Sequence, residues 1–218
     1  MRTSGTFKAN LKARLIQGGL SLGSLMLVAS FGVVSCSLDP VHDGQVKALG
    51  GEDPNIPAGQ YHRAGQPCTV CHGGEGPAKN VFSLAGTVFY QQYDPTKPTV
   101  PVPVDQAYVR IIDADKANHC FVTNCMGNFV AEPGVFGAKG LRFPFLVSVQ
   151  KVNGKGGQPV AMVGHIGRES SCANCHKDPS FFDSPGHIFV GQTPPTPPVQ
   201  CPPAVEPSPP PQCPEGPN

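Results

Sequence analysis

The chain has 218 residues, a formal net charge of +1, 26 Gly, 26 Pro, 9 Cys and no Trp. That length suits one domain of ordinary size with appendages. The near-neutral charge, with no basic patch and no aromatic-basic interleaving, excludes a nucleic-acid binder.

Residues 1–38 contain no Asp or Glu, while Arg2, Lys8, Lys12 and Arg14 form a positive start. An apolar run from Leu15 to Val34, interrupted by Gly18, Gly19 and Gly23, ends in Val33-Val34-Ser35-Cys36. This pattern predicts an export signal over 1–35. Its ending resembles a bacterial lipobox, which implies that Cys36 is lipidated and becomes the first mature residue. An uncleaved membrane helix is the alternative on length alone, but a cysteine after a small residue is what lipoprotein processing requires. Removal of 1–35 leaves 12 Lys+Arg against 15 Asp+Glu, a mature charge near −3. Residues 36–59, with Asp39-Pro40, Asp43-Gly44, Gly50-Gly51 and Asp53-Pro54, read as a flexible tether.

The segment 60–79 carries Cys68-Thr69-Val70-Cys71-His72. The same C-x-x-C-H spacing returns as Cys172-Ala173-Asn174-Cys175-His176 within 166–191. It is the attachment signature of c-type haem: two thiols add across the vinyl groups and the next histidine reaches the iron. The expectation is two covalent haems, on Cys68 and Cys71 and on Cys172 and Cys175, with His72 and His176 as proximal ligands. Two alternatives fit the spacing less well. In a four-thiolate zinc site the cysteine pairs are usually closer than a whole domain apart. A thioredoxin-like disulfide needs a βαβ setting that neither motif has. Gly73-Gly74-Glu75-Gly76-Pro77 is expected to let backbone pass close to a flat cofactor.

Between the motifs the hydrophobic period is two. Phe82, Leu84, Gly86 and Val88 alternate with Ser83, Ala85 and Thr87, and beyond a Pro-rich loop Ala107, Val109 and Ile111 do the same. The stretch Leu141 to Val149 predicts a strand, placed at an edge or bulged because Pro144 cannot donate a ladder hydrogen bond. Asn153 to Gly157 reads as a turn into 160–163. Short strands at this spacing predict a mainly β fold, a β-sandwich over 80–165.

Packing residues continue past His176 to about Gln192. Beyond that, 12 of the last 27 residues are Pro, so 192–218 reads as an extended, disordered tail. Four cysteines, Cys120, Cys125, Cys201 and Cys213, remain as disulfide candidates in an oxidising compartment. Cys120 and Cys125 flank an expected hairpin turn and are expected to pair, while Cys201 and Cys213 would close a loop in the tail.

The motifs Gly86-x-Val88, Ala107-x-Val109 with Asp113, and Thr123-x-x-x-Gly127-x-Phe129 resemble the carboxypeptidase-regulatory, prealbumin-like sandwich. With the lipobox and the flanking C-x-x-C-H segments, the whole resembles bacterial dihaem c-type cytochrome lipoproteins. The resemblance implies an antiparallel prealbumin-like sandwich and electron transfer or haem binding in the cell envelope, and names no substrate.

The sequence therefore reads as a dihaem cytochrome c, lipid-anchored to a bacterial membrane, the outer membrane favoured. It would transfer single electrons to redox partner proteins rather than act as an enzyme. A peroxidase-like enzyme with an open iron and a haem-stapled adhesion or binding module stay open beside it. For the sixth iron ligands the candidates are His62, ten residues before His72, and His187, eleven after His176, with His165 in reserve. His42 in the tether and His119 at a turn are expected to be solvated, and Met126 and Met162 are expected to be core residues.

Overall fold

The computed structural model describes residues 39–56, 58–91, 101–151, 157–177, 184–197 and 199–202. Residues 1–35, expected to be an export signal, Cys36, the 153–156 part of the expected turn and most of the tail, with Cys213, lie outside the described residues. The chain divides at Gly44 into two units. Helix α1 (Pro40–Ala48) buries none of its residues. Asp39 caps it, its carboxylate accepting from the N–H groups of Val41 and His42, both at 3.0 Å. Asp followed by Pro is thus an N-cap and first helical residue where a flexible tether was expected. Among the described residues no helix is long and apolar enough to cross a membrane.

The unit from Gln45 on is mainly sheet. Strands β1 (Leu84–Phe89), β4 (Asn128–Ala131) and β7 (Ile188–Phe189) form one sheet in the order β4-β1-β7. Strands β2 (Tyr108–Ile112), β3 (Asn118–Val122), β5 (Leu146–Gln150) and β6 (Val160–Ala161) form a second, antiparallel sheet in the order β3-β2-β5-β6. Alternate residues of both sheets meet in one apolar cluster. Leu84, Val88, Phe129 and Ala131 come from the first, and Val109, Ile111, Phe121, Val147 and Val149 from the second. Each large apolar side chain so buried contributes about 1.5–3 kcal/mol.

Three expectations are corrected by these pairings. The strand expected over 141–149 begins only at Leu146 and lies in the sheet interior, between β2 and β6. Pro144 precedes the ladder, so its missing N–H costs nothing there. β3 and β4 do not form a hairpin in one sheet, because the turn between them carries the chain from one sheet to the other. Cys120, inside β3 opposite Arg110, therefore does not pair with Cys125. Cys125 is bonded instead to Cys201, with Cα atoms 5.3 Å apart across 76 residues of sequence. Cys120 is also disulfide-bonded, and Cys201 cannot close a loop with Cys213.

β1 differs from a one-sided strand, since all six of its residues are buried. Leu84, Gly86 and Val88 face the core. Thr87 and Phe89, on the other face, are covered by chain from outside the two sheets, described below. β7 also comes from beyond the second motif and pairs with β1 in parallel.

His119 is not solvated either. Its Nε2 lies 3.2 Å from Asp113 Oδ2 with the side chain 15% exposed, and its ring packs edge-on against Phe136. Burial works to raise the Asp113 pKa, but the N–H groups of Ala117 and Asp115 and the His119 ring outweigh it and hold the carboxyl below its usual range. A depressed carboxylate stabilises the fold above its unfolded pKa of about 4 and loses that stabilisation as pH falls through the lower folded value. Replacing Asp113 by Asn should therefore flatten the pH dependence of stability below about pH 4. Asp113→Ala should cost about 1–3 kcal/mol at neutral pH by orphaning two N–H donors. Denaturant unfolding at pH 3 and pH 7 measures both.

Candidate functional site

Both C-x-x-C-H runs form single helical turns, α2 (Cys68–His72) and α3 (Cys172–Cys175), and both pack on β1. The second segment reaches the strand edge, where the Ala85 N–H donates to Ser170 O at 3.0 Å. A Cβ added at Gly86 would stand 2.9 Å from both Cβ and Sγ of Cys172, so glycine there makes room for the thiol. The first segment lies across the other face. Gly65 N–H donates to Thr87 Oγ1 at 2.8 Å, Thr87 donates on to Asn128 Oδ1 at 2.8 Å, and Asn128 Nδ2 returns to His62 O at 3.0 Å. Asn124 Nδ2 holds Gln60 O at 2.6 Å.

Arg63 fastens the preceding chain to this segment. Its guanidinium donates to Leu49 O at 3.1 Å, Gly50 O at 2.7 Å, Glu52 Oε1 at 2.7 Å and Gln66 Oε1 at 2.7 Å. Residues 49–52, expected in the flexible tether, are thus tied down.

The two motif histidines have the same environment. His72 Nδ1 lies 2.7 Å from Asn80 O, and His176 Nδ1 lies 2.8 Å from Gly186 O. A carbonyl oxygen only accepts, so Nδ1 carries a proton in each ring, which leaves Nε2 as the nitrogen with a lone pair whenever the imidazole is neutral. That is the tautomer and second-shell hydrogen bond of a metal-ligating histidine. In each case a loop folds back on its helix to deliver the carbonyl. After α2, Phe82 N–H bonds His72 O at 2.8 Å, and the Phe82 ring stacks on His72 at 4.3 Å. The Gly76 backbone lies against Cys71 O and Val70 O, where no Cβ fits. That glycine packs the loop on α2. After α3, Ser184 Oγ donates to Cys175 O at 2.8 Å and receives Gly186 N–H at 3.1 Å.

His62 and His72 stand edge to face, with ring centroids 5.9 Å apart. Glu52 Oε2 is 3.7 Å from His62 Nδ1. Burial lowers the His62 pKa, against the opposite pull of Glu52, which favours a neutral ring. His187 stacks on Phe89 at 4.6 Å, and its Nε2 lies 3.9 Å from where a Cβ at Gly65 would be. His165 is exposed, and Met126 and Met162 are half-buried. Among the described residues, no three or more His, Cys, Asp or Glu side chains gather as a metal-ion site.

Cys68, Cys71, Cys172 and Cys175 are free thiols, whereas Cys120, Cys125 and Cys201 are all oxidised. Burial pushes the Cys68 thiol up to about 11 and the Cys172 thiol up to about 12, and the nearby Cys68 adds to the shift at Cys172. Cys175 is exposed. Family models, curated proteins and solved structures were all compared with this chain, and none matches.

The residues that sequence reading missed are Asn80 and Gly186, which act through backbone carbonyls, together with Asn124, Asn128 and Thr87. No residue type marks a backbone carbonyl acceptor, so only the polar pair Asn124 and Asn128 beside the expected turn left a trace.

With the motif thiols free, Cys172 should alkylate on the order of 10²–10³ times more slowly in the native than in the denatured state, because little of the buried thiol is ionised near pH 8. Exposed Cys175 should react first. Timed labelling with peptide mass mapping distinguishes the two.

Proposed function

We propose that the chain is a dihaem c-type cytochrome that transfers single electrons. The observation that carries this reading is the repeated histidine environment. Both C-x-x-C-H histidines donate Nδ1–H to a backbone carbonyl ten residues or fewer downstream, an arrangement that supports ligation through Nε2. The free state of the four motif thiols, beside three oxidised cysteines elsewhere, fits the same use.

Haem bound at both motifs would supply one-electron redox centres whose potentials depend on axial ligands and surroundings. Cys68 and Cys71 would hold the first through thioethers, and Cys172 and Cys175 the second. His72 and His176 would bind from the proximal side, their rings oriented by Asn80 O and Gly186 O. His62, 5.9 Å from His72, is the distal ligand proposed for the first site, and His187 is proposed for the second. The half-buried His72 and His176 and the exposed Cys175 leave a path for electron exchange with redox partner proteins. The two-sheet domain is read as a prealbumin-like sandwich that carries the two sites. Anchoring through a lipid on Cys36, in the envelope of a bacterial cell, completes the proposal.

Protein made with a cytochrome c maturation system should exceed the polypeptide mass by two haems. The double replacement Cys68→Ala/Cys71→Ala should remove one of them. Unmodified mass, or a zinc adduct, would sink the proposal.

Bis-histidine ligation at the first site should give a low-spin spectrum without a methionine-to-iron band. His62→Ala should convert one haem of the two to high spin. An unchanged spin state in that variant assigns the sixth ligand elsewhere.

A further inference from the structure

We infer that Cys120 is bonded to Cys213, so that the proline-rich tail is stapled at two points and crosses the outer face of the second sheet. This rests on the lipid proposed above for Cys36. Of the nine cysteines, Cys68, Cys71, Cys172 and Cys175 are free thiols and Cys125 is joined to Cys201. Cys120 is oxidised as well, which leaves Cys36 and Cys213 as the two sulfurs it can be joined to. A sulfur that carries lipid has no thiol to oxidise. Cys213 is then the partner.

The first staple brings Cys213 within reach. Cys201 is held at Cys125, five residues beyond Cys120. That turn is fixed by Asn124, whose Oδ1 accepts the N–H groups of Met126 at 2.9 Å and Asn128 at 3.1 Å. Five residues span at most about 18 Å. Twelve residues lead from Cys201 to Cys213, and a polyproline run of that length reaches up to about 37 Å. A leash this short keeps the second thiol in the millimolar range beside the first.

Cys120 lies in β3, the edge strand of the order β3-β2-β5-β6. Its neighbour Phe121 is buried in the core, so Cys120 points outward, in a row with Arg110 and Ser148 across the register. An edge strand offers unpaired N–H and C=O groups to any passing strand. Six of the twelve residues from Pro202 to Cys213 are proline. A cover so poor in N–H donors shields the edge without extending the ladder. The bond forms by exchange with an oxidised dithiol carrier: Cys120 and Cys213 give up two protons and two electrons, and the carrier's disulfide becomes two thiols.

The test maps disulfides by mass in the full mature protein, digested without reductant, with free thiols alkylated after denaturation. The expected map joins Cys120 to Cys213, with acyl chains on Cys36, and cleavage after Glu206 releases the Cys213 peptide only on reduction. Cys120 should become a free, alkylated thiol in Cys213→Ser and stay oxidised in Cys36→Ser. A Cys36–Cys120 peptide, or a free Cys120 in Cys36→Ser, overturns the staple and the lipid anchor together. Cys120 found as a thiol beside an acylated Cys36 overturns the staple alone. A Cys120–Cys213 peptide with no acyl chain on Cys36 upholds the staple and overturns the anchor. Should either variant fail to fold, the wild-type map decides between these outcomes by itself.

Discussion

The structure depends on a strand that is buried on both faces. β1 contributes Leu84 and Val88 to the core between the sheets, which is the ordinary use of an alternating strand. Its other face would normally meet water. Here Thr87 and Phe89 are covered by the first C-x-x-C-H segment and by His187, and the second segment lies along the strand edge. The core and the candidate site thus share one backbone. A disturbance at Gly86 would be felt both by Phe129 in the core and by Cys172 in the motif.

Around each motif the chain solves the same local problem twice with different residues. A single helical turn is too short to orient its last histidine, so a loop returns a carbonyl to Nδ1. Near α2 the loop is closed by the Phe82 backbone and by aromatic stacking, and near α3 by the Ser184 hydroxyl. Different side chains converging on one geometry argue that the geometry is what matters. Hydrogen bonds of this kind fix the tautomer and ring plane before any ligand arrives.

Much of this was legible in the sequence because it depended on local patterns. The period-two alternation located β1 and β2 to within two residues, and the C-x-x-C-H spacing located both motif turns. What was not legible depended on long-range partners. The Cys125–Cys201 bond spans 76 residues, and nearness in sequence wrongly favoured Cys120. Pro144 implies an edge or bulged strand only if it lies within the ladder, which starts beyond it at Leu146. The tether was misread for a different reason: Asp39-Pro40 is equally a turn signal and a helix start, and Arg63 supplies the anchor for residues 49–52 from a distance. His119 was assigned to solvent because its partner, Asp113, becomes a neighbour only once β2 and β3 pair.

The burial of Cys172 also sets an order of events in the life of the protein. Its sulfur is packed against Gly86 and Phe129 at the margin of the core, where an enzyme joining thiols to a cofactor could not reach it. On the proposed reading, covalent attachment at the second motif must come before that strand closes, while the newly exported chain is still open. Folding would then seal the linkage behind it. The maturation apparatus, and the rate at which it meets the chain, would decide how much of the protein becomes functional.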